Sequence, residues 1–107
     1  MHHKPQWLAF TLALALPLAA HAVTGDPQAG AKKNSMCVGC HGIPGYQTAY
    51  PDVYHVPKIG GQHAEYLAAA LQGYKTGSRK HPTMTGIAAQ LSEQDIADLA
   101  AYYAGKK

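Results

Sequence analysis

Charged side chains make up only 14% of the 107 residues, and phenylalanine and tryptophan occur once each, at Phe10 and Trp7. So small a charged fraction excludes a disordered acidic or basic tail. The formal net charge of +3 is weak and mixed in sign, without the basic stripe that grips nucleic acid. No apolar run approaches the roughly 20 residues needed to span a bilayer. The length excludes a barrel enzyme, a doubly wound nucleotide-binding fold and any two-domain arrangement. Cysteine is scarce too. There are two, three positions apart, and that spacing is the informative feature of the chain.

The first residues read as an export signal. His2, His3 and Lys4 give a short basic start, an apolar run follows from Trp7 to Leu18, and Ala20-His21-Ala22 is a small-x-small cleavage pattern. Pro17 near the end of the run argues against a membrane anchor. Cleavage after Ala22 is expected, leaving a single domain over residues 23–107, exported and without a membrane anchor. A domain of that size buries about two-thirds of its unfolded surface or less, and cores this small often rely on a disulfide, a metal or a cofactor.

What remains reads as helices and loops, an all-α class. Asp26 and Pro27 suit an N-cap and a first helical position, predicting a helix from Pro27 to about Met36. Residues 42–61 form a long loop rich in glycine and proline that holds Tyr46, Tyr50 and Tyr54. A second helix is predicted from His63 to about Thr76, with Tyr66, Leu67, Ala70, Leu71 and Tyr74 on one apolar face and Gly77 ending it. Residues 78–86 read as irregular. The last helix has Ser92 and Asp95 in the positions of a capping box, then Ile96, Leu99, Ala100 and Tyr103 as a buried stripe, with Gly105 as its stop.

The chemistry lies in Cys37-Val38-Gly39-Cys40-His41. Two thiols separated by two residues, followed at once by histidine, match the attachment signature of c-type haem. The thiols form thioethers to the two vinyl groups, and the next residue emerges beneath the porphyrin, where His41 gives a ring nitrogen to iron as the proximal ligand. On this reading the pair sits on a tight turn that Gly39 accommodates. The rival readings are weaker. A thioredoxin-like pair needs a βαβ context, a zinc site needs four ligands at standard spacing, and a disulfide closing so small a loop saves little entropy.

The sixth iron ligand must come from elsewhere. Met36 adjoins Cys37 on the proximal side and reads as a packing residue. Met84, flanked by threonines in the stretch after the middle helix, is the preferred distal ligand. The alternatives are His81, then His55 and His63, or an open sixth site, which would turn electron transfer into ligand binding.

With Cys37-Val-Gly-Cys40-His41-Gly42 and Met84 in place, the chain resembles the class I cytochromes c. More narrowly, it is similar to the small periplasmic monohaem proteins of proteobacteria and to one half of their dihaem relatives. Asp26-Pro-Gln-Ala-Gly30 resembles the family's first helix, where Gly30 lets the first and last helices cross closely. Pro57-Lys-Ile-Gly-Gly-Gln62 resembles a segment whose proline carbonyl, here that of Pro57, accepts the proton of the non-ligating His41 nitrogen. Tyr74 to Arg79 resembles the end of the middle helix, and Met84 to Tyr103 the run from the methionine ligand through the final helix. Two departures stand out. Lys32, Lys33 and Asn34 are polar where relatives place leucine or an aromatic, and the tyrosine-rich loop has no clear counterpart.

The resemblance implies three to four helices around one covalent haem c. It implies a non-enzymatic periplasmic electron carrier with redox protein partners, monomeric or weakly oligomeric. The alternatives are the cytochrome subunit of a larger dehydrogenase or oxidase complex, or a haem-based sensor with an open iron site. Lys75, Arg79 and Lys80 form a possible basic rim for an acidic partner, or equally favourable charges at a helix C-terminus. The loop tyrosines are expected to cover the ring edge in preference to bonding its propionates.

Overall fold

The computed structural model describes residues 23–50 and 53–106, so the expected signal segment, 1–22, lies outside the described residues. Five helices run along the chain: α1 (Pro27–Lys33), α2 (Ser35–His41), α3 (Ala64–Thr76), α4 (Pro82–Ala89) and α5 (Glu93–Ala104). Two short strands, β1 (Gln47–Thr48) and β2 (Tyr54–His55), pair antiparallel between α2 and α3. The architecture is helical, with more helices than the three to four expected.

Local chemistry explains most boundaries. Asp26 caps α1 by accepting the Gln28 N–H at 2.9 Å, with Pro27 in the first turn. Ser92 and Asp95 complete a full capping box on α5, each side chain accepting the other's backbone N–H at 3.0 Å. Gly77 ends α3 in the left-handed conformation, φ 88°, and donates to the Gly73 carbonyl at 3.0 Å.

Three sequence expectations are corrected. The first helix does not run unbroken to Met36: Asn34 (φ −85°, ψ 5°) interrupts it, and α2 begins anew at Ser35. Residues 78–86 are not irregular throughout, since Pro82 opens α4 as its first residue. A proline there costs no hydrogen bond, because the first turn has no partner for its N–H groups. The 42–61 loop holds the β1–β2 ladder, paired Gln47 with His55 and Thr48 with Tyr54. Two residues per strand are too few to show an alternating pattern.

The core is built around α5, which packs on α1 and α3, while α3 also packs on α4. Leu67, Leu91, Ile96, Leu99, Ala100 and Tyr103 form its buried cluster, and Cys37, Ile59, Ala64, Ala68, Leu71 and Tyr102 pack against it. The predicted α5 stripe is buried as a whole. On α3, Leu67 is buried but Tyr66 faces solvent, because α3 turns a narrower strip inward than its apolar pattern implies. Gly30 is buried at the α1–α5 crossing, where a Cβ would stand 2.1 Å from the Asp98 carbonyl oxygen and 2.7 Å from Tyr102 Cβ. Backbone this close leaves no room for any side chain.

The polar end of α1 is not loosely packed; it replaces an apolar contact with an ionic one. Lys33 Nζ lies 2.8 Å from Asp95 Oδ1 and 2.6 Å from Asp98 Oδ2. Asp98, buried at 2% exposure, also accepts from the Asp26 N–H and from Gln94 Nε2, both at 2.8 Å. A buried carboxylate is tolerable only when its lone pairs are met in this way.

The Lys33 ammonium, followed by the Ser92 hydrogen bonds, holds the Asp95 carboxyl down at about 2, and Lys33 with the Asp26 N–H lowers Asp98 below 3.8. Carboxylates depressed on folding add stability that is complete above their unfolded pKa and is lost as pH falls through the folded one. The thermal midpoint of the protein is therefore expected to fall between pH 4 and about pH 2. Asp98→Asn should show a flatter midpoint-against-pH curve in that window, checked by circular dichroism melts. Equal slopes would show that the Lys33 cluster does not carry the acid sensitivity.

Candidate cofactor site

The two cysteines stand on a helix, not on the tight turn expected. In α2, Cys37 and Cys40 are three residues apart and so share one face. Both are half-buried, whereas Val38 and Gly39 between them are exposed. A Cβ on Gly39 would meet nothing within 4 Å, so no close approach requires the glycine. The two thiols are not joined to each other.

Cys37 points into the end of the core. Burial pushes its thiol up, with the neighbouring Tyr103 hydroxyl opposing. Tyr103 in turn is pushed up to about 12, first by burial and then by the Cys37 sulfur. Among the described residues its buried hydroxyl has no hydrogen-bond partner. Beside the half-buried Cys37 sulfur this leaves a buried polar atom that the described residues do not satisfy.

His41 ends α2, half-buried, and its Nδ1 lies 2.7 Å from the Pro57 carbonyl. The carbonyl can only accept, so Nδ1 carries the proton and Nε2 keeps a free lone pair. This is how protein ligands to metals are oriented, by a hydrogen bond to the other ring nitrogen. A cleft of about 270 Å³ lies alongside, lined by His41, Gly42, Ile43, Pro44, Val56 and Pro57 among others. Met36, Val38, Ile43, Val53 and Tyr54 are all exposed large apolar residues. Val38 lies within the cysteine–histidine segment, Met36 adjoins it and Ile43 lies two residues beyond it. A flat apolar group tethered at α2 would find both sulfurs and an imidazole lone pair on that one helix, so these residues fit a haem.

Met84 is the third residue of α4 and is half-buried. Its N–H donates to Nδ1 of His81, which is the N-cap of the helix. His81 is therefore engaged with the α4 backbone. His63 occupies the N-cap position of α3, and His55 lies on β2. Neither makes a contact with His41 or the cysteines in the hydrogen bonds described.

The role of His81 as a cap was missed. The signal was present in His81-Pro82, the same cap-then-proline pattern that revealed α1 at Asp26-Pro27. The basic rim is also partly committed elsewhere. Lys75 Nζ donates to the Leu91 carbonyl. Arg79 lies over Tyr74 and Tyr66, its guanidinium carbon 5.0 and 6.0 Å from the ring centroids, and donates to both hydroxyls at 3.4 Å. Lys80 stays exposed. Of the loop tyrosines, Tyr46 is half-buried, Tyr54 packs on the His81 ring and Tyr50 is 89% exposed.

Comparison with known proteins agrees with this geometry. The family model for cytochrome c matches residues 25–104. Cytochrome c4 of Pseudomonas aeruginosa is 40% identical over 94% of this chain, which covers 47% of that protein. Cytochrome c-554(548) of Halomonas halodenitrificans is 42% identical over 78% of this chain and is matched along 99% of its own length. The crystal structure of reduced cytochrome c4 from Pseudomonas stutzeri superposes with a TM-score of 0.57 at 29% identity, covering 81% of this chain and 53% of that one. The chain thus spans about half the length of its cytochrome c4 relatives. The matched region runs from the turn before α1 to the end of α5 and takes in the cysteine–histidine segment, so the chain belongs to the cytochrome c family, whose cofactor is covalently bound haem c.

Proposed function

We propose that this chain is a periplasmic electron carrier and not an enzyme. Cys37 and Cys40 hold the haem through thioethers, His41 is its proximal ligand and Met84 its distal one. The observation that carries the reading is the 2.7 Å contact between His41 Nδ1 and the Pro57 carbonyl, which leaves Nε2 for a metal. The haem, when bound, supplies a one-electron couple between ferric and ferrous iron.

The residues of this chain prepare for that couple in three ways. Pro57 fixes the His41 ring and makes it a better donor by drawing on its Nδ1 proton. Met84 offers a soft thioether, which favours the ferrous state and raises the potential. The apolar side chains around α2 exclude water and so disfavour the added positive charge of the ferric state. Among the described residues no helix is long and apolar enough to cross a membrane. Partners are other redox proteins, engaged through the small interfaces usual for transient electron transfer.

Mass spectrometry and optical spectra of the protein purified from the periplasm test the proposal. The expected mass is that of residues 23–107 plus one haem, and the ferric spectrum should show the weak band at the red end of the visible that marks sulfur ligation. The ferrous protein should not bind carbon monoxide. Ready carbon monoxide binding would instead support the sensor reading.

A further inference from the structure

The first turn of α4 carries Met84, and a single imidazole fixes that turn. His81 has extended backbone at the N-cap (φ −160°, ψ 114°), and its Nδ1 accepts the Met84 N–H at 3.3 Å. Its own carbonyl accepts from the Thr85 N–H at 2.8 Å. Because Nδ1 accepts, the ring proton sits on Nε2. The ring also packs against Tyr54, with centroids 4.7 Å apart and planes tilted by 56°. Tyr54 is itself held by the β-ladder, its N–H donating to Thr48 Oγ1 at 3.2 Å. One side chain therefore joins the tyrosine loop to the backbone of the methionine. Short polar residues are the usual caps. A histidine adds a second surface for an aromatic partner, which the shorter residues lack.

We infer that His81, braced by Tyr54, is the positioning residue for Met84. By fixing the N–H of the methionine it restricts the directions in which the thioether can leave the site. This rests on the reading of Met84 as the distal ligand.

The test is imidazole binding to the ferric holo-protein, followed by loss of the red sulfur band as imidazole displaces the thioether. His81→Ala is expected to bind imidazole about fivefold more tightly than the unaltered protein, the size of one lost N-cap. His81→Asn, whose short carboxamide can still cap, should stay within about twofold of it. Tyr54→Leu should fall between the two. Should His81→Ala fail to mature, His81→Gln, whose longer arm misses the cap, takes its place beside His81→Asn. Equal affinities for the capping and non-capping variants would overturn the inference. So would a lowered melting temperature with no change in imidazole affinity, which would reveal a purely structural cap. Met84→Ala separates the two assignments: survival of the band in that variant would overturn the ligand assignment, and the positioning role with it.

Discussion

Met84→Ala is expected to abolish the red sulfur band, to lower the midpoint potential by at least about 0.1 V and to open the ferrous iron to carbon monoxide. Axial ligation commands a range of about 0.8 V in haem proteins, so replacing a thioether by water or a weak ligand moves the potential by a readable part of it. The sign follows from the chemistry. A thioether favours ferrous iron, and its loss favours ferric. The structure narrows what could take the vacant position. His81 is the nearest histidine in sequence, and its Nδ1 is engaged with the Met84 N–H. Removing the Met84 side chain leaves that backbone bond in place, so His81 stays a cap. Redox titration with optical detection checks the prediction. An unchanged band with a potential within a few hundredths of a volt would place the distal ligand elsewhere.

Replacing both Cys37 and Cys40 by alanine is expected to have the largest effect on the fold itself. The variant should come out of the periplasm colourless, with less helix by far-ultraviolet circular dichroism and no cooperative melt. Among the described residues the buried apolar set is Leu67, Ala88, Leu91, Ile96, Leu99, Ala100 and Tyr103, nearly all on α3 and α5 or at their approaches. None comes from α2, whose Met36 and Val38 are exposed. A chain of this size rarely gains more than about 3–5 kcal/mol from its own core. Among the described residues only Cys37 of α2 packs against the core cluster, so the α2 side of the molecule depends on the tethered cofactor. Single variants that retain one thioether should keep some colour and melt at a lower temperature. A colourless double variant with native helix content and a sharp melt would show that the polypeptide closes without its haem.

The legible parts of this fold are those whose signals are local. The capping box of α5 and the glycine that ends α3 each lie within a few residues of what they control, and the structure has both. The Cys37 to His41 segment was legible because covalent attachment dictates its spacing. What escaped depends on distant partners. The break at Asn34 carries only a weak sequence mark, an asparagine before a serine, types that favour helix caps. Lys33 looked misplaced until Asp95 and Asp98, more than sixty positions away, met it. Tyr54 gave no hint that it would lie on His81, because the ladder that presents it is only two residues long on each strand. Residues 78–86 read as irregular although Pro82 starts a helix there, with the same chemistry that Pro27 shows at α1.

The seam between α1 and α5 has a kinetic consequence. Asp26 N–H reaches Asp98 across 72 positions, and Gln94 reaches the Thr24 carbonyl across 70. Zipping this seam closes a ring of about two-thirds of the polypeptide, a late and slow event by the entropy of loop closure. Protease trimming ahead of α1 should loosen this seam first, so that the amides of α1 exchange with solvent before those of α5, which the packing on α3 also holds.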